Sequence, residues 1–137
     1  MDVTAGAYLF MAAGFLLLPL HWLICAVFAA LFHELGHLIA LHICNVPVYK
    51  IRFGFFGAQI ITGSITALQE MVCAIAGPVF SLILLFFTGK YPALVLFGLC
   101  QGLFNLLPIP PMDGGRVLIS GWRLIRDHDW KEKFLEK

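Results

Sequence analysis

The chain has 137 residues, 61% of them hydrophobic and 12% charged, with a formal net charge of +1. Charge is depleted about two-fold against soluble domains and the mean hydropathy is +0.91, which excludes an ordinary water-soluble domain and leaves a single integral membrane domain spanning 1–137, with the lipid bilayer as its first partner. The nine Lys and Arg residues form no dense basic run, so nucleic acid is not expected as a partner.

The N-terminus, Met1-Asp2-Val3-Thr4, lacks the basic stretch of a cleaved signal peptide and is expected to be retained. Residues 5–44 are apolar almost throughout. One straight helix of that length would be ~60 Å long, about twice the hydrocarbon core of a bilayer, so the segment must break. Pro19 is the place, because proline removes a helix hydrogen bond and restricts the residue before it. This predicts a first helix at about 5–18 and a second at about 21–43. His21 and Trp22 read as interfacial, and Ala26, Ala29, Ala30 and Gly36 give the second helix small surfaces that another helix can approach closely.

Within that second helix stands His33-Glu34-Leu35-Gly36-His37, the H-E-x-x-H signature of zinc peptidases. Histidines four apart on a helix project from one face, one turn apart, so two ring nitrogens can meet one metal ion. Glu34 is placed to act on a water that the metal activates rather than on the metal itself. Ionisable groups in membrane sequence are costly and mark functional sites by default. The blander alternative is a satisfied polar pair inside a helix bundle, and a second half-site near the C-terminus argues against it.

Asn45, Val46 and Pro47 end the second helix. Tyr49, Ile51, Phe53 and Phe55 then alternate with Lys50, Arg52 and Gly54, which is strand period. Gly54-Phe55-Phe56-Gly57 reads as a turn, giving a hairpin at about 47–63. A third helix is expected at about 66–87, interrupted at Ala76-Gly77-Pro78 either as a tolerated kink or for close packing on the second helix. A fourth is expected at about 93–107. It is broken by Leu106-Leu107-Pro108-Ile109-Pro110-Pro111-Met112-Asp113-Gly114-Gly115, a stretch too rich in proline and glycine for regular helix. Irregular backbone at membrane depth is tolerated where it lines a cavity or is buried in protein. Residues 116–137 read as an amphipathic tail anchored by Trp122 and Trp130. The fold class is therefore an α-helical integral membrane protein, with three to four transmembrane helices and a short membrane-associated β-hairpin. Cys25, Cys44, Cys73 and Cys100 form no C-x-x-C pair and read as reduced, buried hydrophobes.

All basic residues except Lys90 fall in the hairpin or the tail. Three crossings place both on one side, and the positive-inside rule makes that side cytoplasmic. A catalytic zinc typically has three protein ligands and one open position. His33 and His37 supply two, and Asp113 is the best candidate for the third, since Asp2, Glu70, Asp127 and Asp129 are less well placed. Glu34 can take a proton from the attacking water and deliver it to the leaving amine. Asn105 can donate to the tetrahedral oxyanion, although a helix cap or an interhelical hydrogen bond fits its amide equally well.

These residues resemble the site-2 protease family of intramembrane zinc metalloproteases. The H-E-x-x-H run matches its first motif, and Asn105 to Gly115 matches its second, including the spacing from Asn to Asp-Gly. Ala76-Gly77-Pro78 is a weaker third mark. The resemblance covers about residues 20–120. The short hairpin between the motifs, with Phe53-Gly54-Phe55-Phe56-Gly57, is similar to the sporulation-type branch. The resemblance implies one zinc per chain held by His33, His37 and Asp113, with Glu34 catalytic. It also implies cleavage of transmembrane or membrane-associated proteins, such as sigma-factor precursors or anti-sigma factors, in a bacterial cell membrane. The family often has Asn three residues after Gly-Pro, where this chain has Ser81, and sporulation-type members often continue into a nucleotide-sensing domain beyond the point where this sequence stops. Two other functions would also want intramembrane His and Asp: a metal transporter or sensor, and an inactive protease-like scaffold. Glu34, a carboxylate beside a ligand, argues against the first, and retention of every chemical group argues against the second.

Overall fold

Pro19 sets the start of the longest helix. In the computed structural model, which describes residues 2–3, 12–54, 57–87 and 89–135, residues 12–17 are helical (α1). Helix α2 runs Leu20–Ile43 with Pro19 as its N-cap. Proline has no N–H to extend the preceding turn, but its carbonyl accepts from Trp22 at 2.9 Å and Leu23 at 3.1 Å, so a new helix begins at once. The part of the expected first helix from 5 to 11 lies outside the described residues.

The other end of α2 is closed by Asn45, the one described non-glycine residue with positive φ, at 54°. Asparagine tolerates this left-handed conformation better than most residues. Val46 N–H then reaches back to the Leu41 carbonyl at 2.9 Å and Asn45 N–H to that of His42 at 3.0 Å. These two bonds make a Schellman cap. Val46 is buried against Leu41 in a small core with Ala40 and Cys73, and Cys44 packs there too, away from the histidines.

The alternating segment forms the expected hairpin, β2 (Val48–Gly54) and β3 (Gly57–Thr62), paired antiparallel. A third strand, β1 (Asp2–Val3), was not expected. It pairs parallel with β2, Asp2 opposite Arg52 and Val3 opposite Phe53, giving a sheet of order β1-β2-β3.

Helix α3 runs Ala67–Ile83 and passes into a 3₁₀ turn, Leu84–Phe87. Thr66 and Gln69 form a capping box at its start, and the Gln69 amide also donates to the Cys44 carbonyl at 3.0 Å, tying this start to the end of α2. Ala76-Gly77-Pro78 was expected as a tolerated kink or a close-packing site, and helix continues through Pro78. Close packing is what the structure has there. A Cβ on Gly36 of α2 would lie 2.7 Å from the Ala76 carbonyl oxygen and 2.9 Å from Phe80. Helix α4 is Pro92–Asn105. Helix α5 is Asp113–Leu135, so it begins earlier than the expected tail and takes in Gly114 and Gly115.

The distribution of polarity is inverted relative to a water-soluble fold. Leu20, Ile24, Val27, Phe28, Leu31 and Leu35 form an exposed stripe on α2, while His33, His37, Ser81, Asp113 and Ser120 are buried. Leu20–Ile43 and Ala67–Phe87 are long and apolar enough to cross a membrane, and only 28% and 33% of their apolar windows is buried. Neither is therefore the enclosed core helix of a soluble domain. Helix α4, with 14 residues, is ~21 Å long, shorter than the ~30 Å hydrocarbon core. Cys73 is buried as expected, but Cys100 is exposed. It points outward with the apolar side chains of α4, where a small hydrophobe is at no disadvantage in lipid.

Candidate metal centre

The centre is built where the inner face of α2 meets α3. His33 and His37 are 2% and 7% exposed. Their rings splay apart through Nδ1 and converge through Nε2. His37 Nδ1–H donates to the Cys73 carbonyl at 2.8 Å, and His33 Nδ1 lies 2.8 Å from Ser81 Oγ. Between these two contacts is Gly77, at one helical turn from each. A Cβ on Gly77 would collide with His37 Nε2 and stand 2.8 Å from His33 Nε2, so only glycine lets α3 lie beneath both rings. Pro78, next in sequence, withdraws the N–H that would serve the Ala74 carbonyl, which loosens the helix ladder beside the carbonyl that His37 uses.

Asp113 comes from the first turn of α5, where the helix dipole favours a negative group. The loop before it folds tightly over that turn. A Cβ on Gly114 would fall on the Leu106 carbonyl, and one on Gly115 would lie 2.6 Å from Pro110 N. These contacts explain glycines inside a helix that sequence alone reads as irregular. Asp113 Oδ2 is 3.2 Å from His33 Nε2 and 3.2 Å from His37 Nε2, and the two Nε2 atoms are 3.2 Å apart. The other Asp113 oxygen lies 3.8 Å from Arg116 Nη1. Glu70 on α3 faces Arg116 at 3.9 Å and Arg123 at 3.1 Å, bracing α5 against the start of α3.

This donor set fits zinc. The Cys73 carbonyl can only accept, so neutral His37 presents a lone pair at Nε2, facing a carboxylate oxygen that is also an acceptor. Acceptors converging this closely call for a cation among them. Three corners of a tetrahedron with ligand bonds near 2.0–2.2 Å stand about 3.3–3.6 Å apart, close to the 3.2 Å triangle seen here. Among the described residues, His33, His37 and Asp113 are the group of His, Cys, Asp or Glu side chains able to hold a metal ion.

No protein-family model matches the chain. A protein of Synechocystis sp. designated a zinc metalloprotease is 36% identical over 106 residues, 64% of this chain and 27% of that protein. A zinc metalloprotease of Methanocaldococcus jannaschii is 36% identical over 100 residues, 63% of this chain and 30% of that protein. The solved site-2 protease from M. jannaschii superposes with a TM-score of 0.72 at 26% identity, over 85% of this chain and 63% of that one. In sequence and in fold the chain is similar to site-2 proteases. The relatives' names specify zinc, and His33, His37 and Asp113 form a donor set able to hold such an ion. The chain's two apolar helices and its likeness to a site-2 protease mark it as a membrane protein. It spans less than a third of the length of the curated relatives it matches.

The remaining sequence candidates divide. Glu34 is half-buried on the same turn as His33, near enough for its charge to act on His37. Asn105 ends α4, and its amide donates to the Gln101 carbonyl one turn back at 3.1 Å, a local bond like the capping alternative. Sequence reasoning saw Ser81 only as a departure from the family pattern and did not foresee the Cys73 carbonyl at all. A signal existed for both. Cys73, Gly77 and Ser81 recur every four residues, so they share one face of α3, and small residues on that face accommodate two imidazoles.

Proposed function

We propose that this chain is the core of an intramembrane zinc metalloendopeptidase, hydrolysing peptide bonds in or near the transmembrane segments of membrane-associated proteins. The observation that carries this is the triangle of buried Nε2 and carboxylate atoms, supplied by His33, His37 and Asp113 from two helices, beside a glutamate that is not part of it. Zinc held there would supply Lewis acidity, to polarise the scissile carbonyl and lower the pKa of water toward 7. His33, His37 and Asp113 hold the ion. Glu34 accepts a proton from the attacking water on its carboxylate and passes it to the leaving amine. Asn105 donates from its amide to the developing oxyanion, after exchanging its bond to Gln101.

A transmembrane helix hides its peptide bonds in a hydrogen-bonded ladder, and each backbone group freed in lipid costs several kcal/mol unless it is paired again. Edge pairing on the sheet is the proposed remedy, as an added strand. Since β1 lies along β2 at Arg52 and Phe53, the edge offered to a substrate is that of β3. The short hairpin linking α2 directly to α3 favours the sporulation-type branch. We therefore assign regulated release of a transcription factor, from a sigma-factor precursor or an anti-sigma factor, in a bacterial cell membrane. Glu70 pairs with Arg116 and Arg123, which puts the start of α3 and α5 at one end of the molecule. Lys90 and Tyr91 line a groove with His21 and Trp22 at the other. With the basic residues gathered at the hairpin and tail end, the multi-pass chain is oriented with that end in the cytoplasm.

The test is purification in detergent, zinc quantification and cleavage of a tagged membrane substrate, wild type beside Glu34→Gln. The variant is expected to keep its zinc and fold and to lose about 10²–10⁴-fold in cleavage rate, the usual share of a general base. Wild-type cleavage by Glu34→Gln would sink the mechanism, and cleavage-inert wild type that transports or merely retains metal would support the other functions.

A further inference from the structure

Ser81 is completely buried, and no step of the proposed hydrolysis uses it. Its Oγ lies 2.8 Å from His33 Nδ1. On its other side α4 closes directly over it. A Cβ on Gly102 would stand 3.1 Å from Ser81 Cβ, and one on Gly98 would stand 3.0 Å from the Ser81 carbonyl oxygen. Gly98 and Gly102 are one turn apart, the small-residue spacing that lets membrane helices touch through their backbones. The hydroxyl is thereby enclosed between His33 and the α3–α4 contact.

We infer that Ser81 is a positioning residue for the metal centre: its hydroxyl accepts the Nδ1–H of His33 and fixes the ring in the tautomer that turns the Nε2 lone pair toward zinc. The inference rests on the metal-centre assignment above. A neutral imidazole has one donor and one acceptor nitrogen, and the partner at one nitrogen decides the state of the other. For His37 that partner is a main-chain carbonyl, which admits only one tautomer. For His33 it is a hydroxyl, which can donate or accept. The Ser81 hydroxyl has lone pairs with which to accept from His33 Nδ1–H, 2.8 Å away. The alternative tautomer would aim an N–H from His33 Nε2 at Asp113 Oδ2, 3.2 Å away, closing the triangle to a metal. Ser81 therefore selects the metal-ready ring before any metal arrives.

Outer partners of ligating histidines typically contribute 10–100-fold in metal affinity. The full chain in detergent, stripped of metal, is titrated with zinc against a chromophoric chelator and with cobalt for its d–d spectrum, as wild type, Ser81→Ala and Ser81→Thr. Ser81→Ala should bind zinc about 10–100-fold more weakly, with a shifted cobalt band, while Ser81→Thr, which keeps the hydroxyl, should stay within about three-fold of wild type. Wild-type affinity and spectrum in Ser81→Ala would overturn the inference. So would an equal loss in Ser81→Thr, which would assign the effect to packing. Histidine ¹⁵N–¹H correlation on metal-free wild type needs no Ser81 variant: protonated Nδ1 on His33 is expected, and protonated Nε2 on the neutral ring would overturn it. Wild type that takes up neither zinc nor cobalt would instead overturn the metal-centre assignment, and the nitrogen spectrum would still decide the Ser81–His33 contact.

Discussion

Each side chain of the triangle depends on a neighbour that is not itself a ligand candidate. Gly77 is the sharpest case. Gly77→Ala adds one methyl group, but it lands between the ring nitrogens of His33 and His37, so the rings must rotate off their partners. Zinc content of the purified variant should fall as far as that of Asp113→Ala, although Gly77 has no side chain to bind with. Normal zinc in Gly77→Ala would show that the helices can part without cost, and normal zinc in Asp113→Ala would remove that carboxylate from the ligand set. Cys73 gives the opposite expectation. It serves His37 through its carbonyl, so Cys73→Ala should retain zinc. At this scale the H-E-x-x-H pair was legible because both residues lie on one helix turn. The partners of their Nδ1 atoms were not, because Cys73 and Ser81 lie 36 and 48 residues away in sequence, and no local periodicity carries that information.

The elements divide in the same way. The hairpin was readable from alternation, while Phe55 and Phe56 of its expected turn lie outside the described residues. Strand β1 was not, since two residues carry no period. Helix α3 was expected at about 66–87, with Ala76-Gly77-Pro78 as a tolerated kink or a close-packing site, and helix does continue through Pro78. Close packing is what the structure has there, with Gly36 of α2 against Ala76 and Phe80. The sheet order makes a graded prediction for β3. In an antiparallel strand, successive N–H groups point alternately to the partner and away. Proline placed singly through Gly57–Thr62 should therefore give two classes of variant. Those losing an outward N–H should retain zinc and the β2 pairing but cleave a transmembrane substrate much more slowly, and those losing an inward N–H should destabilise the hairpin itself. Unchanged cleavage across the well-folded set would reduce the hairpin to an interfacial loop.

For the molecule as a whole, the apolar exterior and polar interior were legible from composition, and the order of the helices from proline and glycine placement. How α5 returns to the site was not, because Gly114 and Gly115 signal irregular chain unless the loop above them is known. That return makes metal binding and folding one equilibrium. Zinc at one hundred times its dissociation constant should stabilise the folded chain by about 2.7 kcal/mol, so chelation should lower the thermal midpoint in detergent, and Asp113→Ala should abolish the difference between the metal-loaded and chelated samples. An unchanged midpoint on chelation would separate the centre from the fold. The ligands also arrive at different times. His33 and Asp113 are 80 residues apart in sequence, which at 5–20 residues per second is roughly 4–16 s of translation. Throughout that interval a nascent chain carries both histidines and the glutamate into the membrane with no third ligand, and the donor triangle closes only once α5 has folded back. On the proposed function, an unfinished or truncated copy would thereby be barred from cutting its neighbours in the bilayer, a safeguard written into the order of the gene.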